Sequence, residues 1–344
     1  MLNPDLSNTT IDRNSTKSNN GLVLRVVCNQ WMEKYHFYGT HHVILYVVWI
    51  FAMILIIPTT ITNIFAFYVF TRKKQMKTFS NILLVHTALC DTLFGCIALP
   101  LWSVHLGIII VSRIYNCTLM ALLCFFALSL PWMSFATTFL ISVDKHLAIF
   151  YPYFYESKLR GRRCIFIVPI FLFWLLMVLL QLTWLFTDIP LLQSASLVIP
   201  ILSAYSIYVH IRIYILVKKT RTTIQSMEVG QGSGASTSTA QSHDKSKDVQ
   251  AARLTSLILA SLCICYLPYF ALHLAAMAQG NKGDRLSSTW HTASPVVFLI
   301  GATKCIINPL LYYCQKKTIR ERVSRVKLQF SQRFSGTTEV TDVF

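Results

Sequence analysis

Residues 114–143 read IYNCTLMALLCFFALSLPWMSFATTFLISV, with no Asp, Glu, Lys or Arg in the run. A helix on a soluble bundle keeps a charged face at helical spacing. This stretch has none, and it exceeds the roughly 20 residues a helix needs to cross the hydrocarbon core of a bilayer. Six further stretches have the same character, near 43–70, 78–106, 164–187, 191–212, 254–278 and 288–313. The longer ones imply tilt or extension beyond the bilayer. The expected fold is an all-α membrane protein, a seven-transmembrane helix bundle. Only two charged residues, Asp91 and Lys304, lie deep inside any span. A charge at the bilayer centre costs about 2.5–3.5 kcal/mol or more, so each calls for a partner or a function.

Composition agrees. Charged residues make up 13% of the chain, against about 25% in soluble domains. Hydrophobic residues reach 54%. A net charge of +17 would suit nucleic acid, but its distribution does not. Basic residues collect in alternate connections: Arg72, Lys73, Lys74 and Lys77; Lys158, Arg160, Arg162 and Arg163; Arg212, Lys218, Lys219 and Arg221; and the tail from Lys316 to Arg333. The opposite connections hold only Arg113, Lys282 and Arg285. By the positive-inside rule the N-terminus faces outside and the C-terminus the cytoplasm of a multi-pass plasma-membrane protein. An odd number of spans requires the same. The basic segments also suit anionic membrane lipids as partners, and no nucleic-acid role is expected.

The expected organisation follows. Residues 1–40 form a polar extracellular tail with no apolar signal-peptide core, so the first span serves as an uncleaved insertion signal. Residues 41–315 form the bundle, with a flexible third intracellular loop near 222–246 that contains the run GQGSGASTST. Ile319, Val323 and Val326 recur at helical spacing among Lys and Arg, which reads as a short amphipathic helix over 316–330. Residues 331–344 complete a cytoplasmic tail bearing Ser331, Ser335, Thr337, Thr338 and Thr341. Sequons at Asn8 and Asn14 are expected glycosylation sites. A third, at Asn116, hugs a helix end and is left unassigned.

No catalytic constellation, cofactor motif or metal-binding spacing is visible, so an enzyme is not expected and neither is a metal site. Eight of the ten cysteines sit within or at the inner ends of spans, where a thiol is a small apolar filler. Only Cys28 and Cys117 face the oxidising side. A disulfide between them would tie the tail across the mouth of the bundle; the alternative is two free thiols. Peptide mapping of surface-expressed protein under non-reducing conditions is expected to recover the two linked, and alkylation of either thiol would reject the bridge.

Local motifs narrow the class. The seventh span ends Asn308-Pro309-Leu310-Leu311-Tyr312, and the third ends Asp144-Lys145-His146. The sixth contains Tyr266-Leu267-Pro268, the second Asp91, the first Asn63 and the fourth Trp174. The fifth has Pro200 with Tyr208 eight residues on. Together these resemble the rhodopsin-like (class A) G-protein-coupled receptors over about residues 43–328. The resemblance implies a heterotrimeric G protein as partner, with arrestin and receptor kinases as further ones. It also implies a central polar cluster of Asn63, Asp91, Ser134 and Asn308, often a sodium site. Hinges are expected at Pro268 and Pro309. Lys145, Tyr208 and Tyr312 would line or brace a cytoplasmic cavity that opens when the sixth span swings outward.

The departures are specific. Lys145 stands where the family has Arg and loses the planar fork, and Tyr266 stands where it has Trp. The connection between spans four and five has no Cys, and Lys304 occupies a place usually held by a small or amide residue. The chain reads as a divergent member. Lys145 is expected to pair with Asp144, with Asp248 adding a contact across the bundle. Lys304 is expected to pair with Asp91 and take the place of sodium. The third span carries no carboxylate near its outer end, which argues against amine ligands. Lys304 lies two residues too close to Pro309 for a retinal linkage. An apolar, aromatic pocket is expected from Trp102, Leu128, Trp132, Tyr269, Phe270, His273 and Phe298, suited to a small lipid- or odorant-like ligand, with a peptide left open. Two competing readings are a receptor-like partner or scaffold that has lost coupling, and a transporter or channel. The second lacks the expected inverted repeats.

Overall fold

The computed structural model describes residues 42–72, 79–112, 117–159, 164–186, 198–230, 254, 256–272, 274–275, 284–315 and 317–334. Among them the ordered elements are helices, with no strand. Helix α1 is His42–Arg72. Helix α2 starts at Phe79–Leu93, continues through a wide π turn at Phe94–Ala98, and finishes as Leu99–Ser112. Helices α3, α4 and α5 are Cys117–Phe150, Cys164–Phe186 and Val198–Gly230. Helix α6 is Ser256–Leu272, α7 is Asp284–Gln315 and α8 is Lys317–Phe334. Four stretches are long and apolar enough to cross a membrane: Val43–Thr71, Asn81–Val111, Thr118–Phe150 and Ala293–Gln315. Shorter apolar stretches lie in α4, α5 and α6. The fold is a seven-helix membrane bundle with an eighth helix appended.

Helix α3 is central and packs against α2, α4 and α5, while α1 packs against α2 and α7. Two apolar cores divide the bundle along its length. The core nearer the start of α1 (the N-end) includes Leu45, Ala52, Phe94, Trp102, Leu130 and Ala302. The core nearer the end of α7 (the C-end) includes Ala66, Phe70, Ala88, Ile141, Ile258 and Tyr312. Between these sets, along each of α1, α2, α3 and α7, lie Asn63, Asp91, Ser134 and Lys304 with Asn308, all buried. The fold thus places its expensive polar groups in one layer with apolar packing on both sides.

The π turn in α2 has a local cause. Pro100 follows it at once, and a proline can neither donate to the carbonyl four residues back nor tolerate it at close range. The backbone widens, and the Leu99 N–H bonds to Phe94 O instead. Prolines also sit inside α1 (Pro58), α3 (Pro131), α4 (Pro169) and α7 (Pro295 and Pro309). Pro131 lies only three residues from Ser134 and belongs to none of the motifs above. Helix α8 docks through buried Ile319 and through Val323 on the C-end core, while Arg320, Glu321 and Arg325 face outward.

Candidate functional site

Lys304 and Asp91 meet in the polar layer. The Lys304 ammonium lies 3.0 Å from Asp91 Oδ1 and 3.3 Å from Oδ2, and also donates to Ser134 Oγ. Lys304 is 0% exposed and Asp91 2%. Asn308 Nδ2 donates to Asp91 Oδ2 at 2.7 Å, and the Cys305 thiol points at Oδ1 from 3.4 Å. The ammonium's donors and the carboxylate's oxygens therefore answer one another across α2, α3 and α7. Such a pair holds two charges in a dry site only because both are hydrogen-bonded as well as opposed. In the sequence only its place beside Lys304 marks Cys305 as more than a small apolar filler.

Asn63 stands apart from this group. Its amide donates to Cys305 O at 2.8 Å and to Thr59 O at 2.9 Å, not to Asp91. The reason lies four residues further along α7. Pro309 has no N–H, so the Cys305 carbonyl loses its helical donor. A freed carbonyl in a membrane must find another partner. Asn63 supplies one from α1 and so braces α7 where Pro309 interrupts its hydrogen bonds.

A second polar knot joins α2, α3 and α4. The Trp174 indole donates to His86 Nε2 at 2.9 Å, and the rings meet edge to face. His86 Nδ1 must then carry the proton, and it donates to Thr137 Oγ1 at 2.7 Å. The Thr137 hydroxyl passes its own proton to Met133 O. His86 carried no mark in the sequence beyond being a polar residue in an apolar span.

At the C-end, Asp144 is 1% exposed. Lys145 lies 3.4 Å from its Oδ2, and the Tyr155 hydroxyl donates to its Oδ1 at 2.8 Å. His146 is stacked between Tyr151 and Tyr205. Tyr312 is fully buried with its ring edge-on to Phe70 at 5.3 Å, so it braces α7 against α1. Tyr266 packs on Gly301, which links α6 to α7 beside Pro268.

Tyr208 lies on the outward side of α5. It is 50% exposed and takes a hydrogen bond from Arg212, which also stacks over Phe150. The buried face of α5 is instead Ser206, Val209, His210 and Ile213. Two residues along a helix turn it by about 200°, so Tyr208 and His210 face nearly opposite ways. His210 takes the inward place. Its Nδ1 lies 2.9 Å from Ser256 Oγ on α6, and its Nε2 lies 3.2 Å from Ser142 Oγ on α3.

The expected pocket residues fall into two groups. Trp102 packs on Phe298 at 4.4 Å within the N-end core, with Phe94 behind. Trp132 and Phe270 surround Phe135 and Leu262, and Tyr269 meets Phe270 edge to face. Leu128 is partly buried. Asn8, Asn14, Cys28, Asp248 and His273 lie outside the described residues, and the side chain of Cys117 does too.

The model of the family described as "7 transmembrane receptor (rhodopsin family)" matches residues 62–191 and 190–312. The chain belongs to that family of multi-pass membrane receptors. In general its members bind an extracellular ligand and act through a G protein. No curated protein matches the chain.

Proposed function

We propose that this chain is a plasma-membrane receptor, N-terminus outside and C-terminus in the cytoplasm, that passes the binding of an extracellular ligand to a heterotrimeric G protein. The ligand is small and mostly apolar, lipid- or odorant-like. Arrestin and receptor kinases act on the cytoplasmic face and tail. The chain is not an enzyme.

The observation that carries this reading is the Lys304–Asp91 pair with Asn308. With Ser134 it joins three helices close to Pro309 and serves no chemistry that would explain its cost. A two-state bundle needs such a joint: rigid within each state, and rearranged when α7 bends differently. Ligand binding then shifts the population toward the state with the C-end open. The aromatic side chains Trp132, Tyr269 and Phe270 suit an apolar ligand, since they offer ring faces and few charges.

Second-messenger output in transfected cells without agonist tests the coupling. Lys145 lacks the fork of an arginine, and its described ion pair is with its own neighbour, Asp144. A weakly held resting state is expected, with basal output above that of mock-transfected cells at matched surface expression. Silence with every G-protein class would favour the scaffold reading, which the same Lys145 supports.

A further inference from the structure

The sequence directs attention to Lys145 as the group restraining α6. The described geometry puts that lysine in a pair within α3. Among the described residues, a side chain that does reach α6 at this depth is His210. We infer that His210 is an uncharged latch that ties α6 to α3 through α5 and holds the C-end closed. This rests on the receptor reading for its physiological meaning, but not for its mechanics.

The hydrogen bonds run in one direction. The Ser142 hydroxyl donates to Thr138 O at 3.1 Å, so its oxygen is left to accept from His210 Nε2–H. Nδ1 is then the bare nitrogen, and it accepts from the Ser256 hydroxyl at 2.9 Å. Both ring nitrogens are used in a single neutral tautomer, and no carboxylate or ammonium among the described residues bonds to the ring. The setting is apolar. Val209 and Ile213 flank His210 on α5, and Ile258 lies half a turn from Ser256 on α6; all three are 2% exposed or less. His210 itself is 6% exposed.

A displacement of α6 by little more than about 1 Å stretches a 2.9 Å bond past useful range. The imidazole nitrogen is then left unpaired in an apolar site, which is the costly case for a hydrogen bond. Ser142 keeps its bond to Thr138 O whatever α6 does. The break therefore falls at Ser256, and His210 stays with α3. Because the latch carries no charge, added salt should not loosen it, unlike an ion pair at the same level.

The test reads the helices directly. Genetically encoded spin labels at the exposed Tyr153, just past the end of α3, and at the exposed Ala260 on α6, in the full chain held in lipid nanodiscs, report the separation of the two helices at the C-end. His210→Phe keeps ring bulk and removes both bonds, while Ser256→Ala removes one hydroxyl. Each is expected to raise the ratio of long to short separations roughly fivefold, the factor that one net hydrogen bond supplies. The double variant should add little to either alone, and moderate salt should leave the wild-type distribution in place. Unchanged separations in Ser256→Ala, or shifts that simply sum in the double variant, would overturn the latch. Shifted separations with no change in second-messenger output would keep the latch and count against the coupling reading.

Discussion

Lys304→Ala is expected to destabilise the folded protein by roughly 3–5 kcal/mol, because it leaves Asp91 as a buried charge without its counter-ion. The carboxylate keeps only Asn308 Nδ2 and the Cys305 thiol, neither of which carries positive charge. Surface expression should collapse, or the surviving protein should melt far below the wild type in detergent. The double variant with Asp91→Asn removes the stranded charge and should recover most of the loss. Sodium offers a second readout. Without the ammonium, Asp91, Ser134 Oγ and Asn308 Oδ1 form a set of oxygens. Asn308 Oδ1 makes no hydrogen bond among the described residues. Oxygens are what a hard cation takes. Exchanging choline for sodium should raise the melting midpoint of Lys304→Ala and leave that of the wild type unmoved. A single variant as stable as the wild type, or a double variant no better than the single, would dismiss the pair as a structural keystone.

The second large effect is expected from one methyl group. A Cβ at Gly95 would stand 2.8 Å from Thr60 Oγ1, 3.0 Å from Thr59 Cγ2 and 3.1 Å from the Thr60 backbone nitrogen. The hydroxyl can rotate away; the backbone cannot, so α1 must back off from α2. Gly95→Ala should cost about 1–3 kcal/mol, the range for overpacking a tight contact. The damage should extend to α7, because Asn63, one turn along α1 from Thr59, supplies the donor for Cys305 O. Gly107→Ala is the internal control on the same helix. There the nearest atom is Trp49 Nε1 at 3.3 Å, farther off and on a side chain, not the backbone. Thermal melts of the two variants should order with Gly95→Ala clearly the lower. The reverse order would mean that α1 and α2 do not approach as closely as described.

The spans, the two buried charges and the prolines inside the helices are legible in the chain alone. Hydropathy is a sum over neighbours in sequence, and a bilayer accepts or rejects a helix on that sum. The cost of charge in hydrocarbon likewise depends on the residue and its depth, so Asp91 and Lys304 announce themselves before any contact is known. Which face of a helix turns inward is another matter. The first half of α5 is apolar nearly all round, so periodicity cannot choose between Tyr208 and His210; packing against α3 and α6 does. The partner of a buried polar group is equally non-local. Asn63 reads as one more member of a polar cluster, yet it serves a carbonyl that Pro309 leaves bare 242 residues away in the chain. His86 and Trp174 find each other across 88 residues for the same reason. In a medium without water every polar atom must be satisfied by whatever the fold brings near, and only the assembled bundle decides what that is.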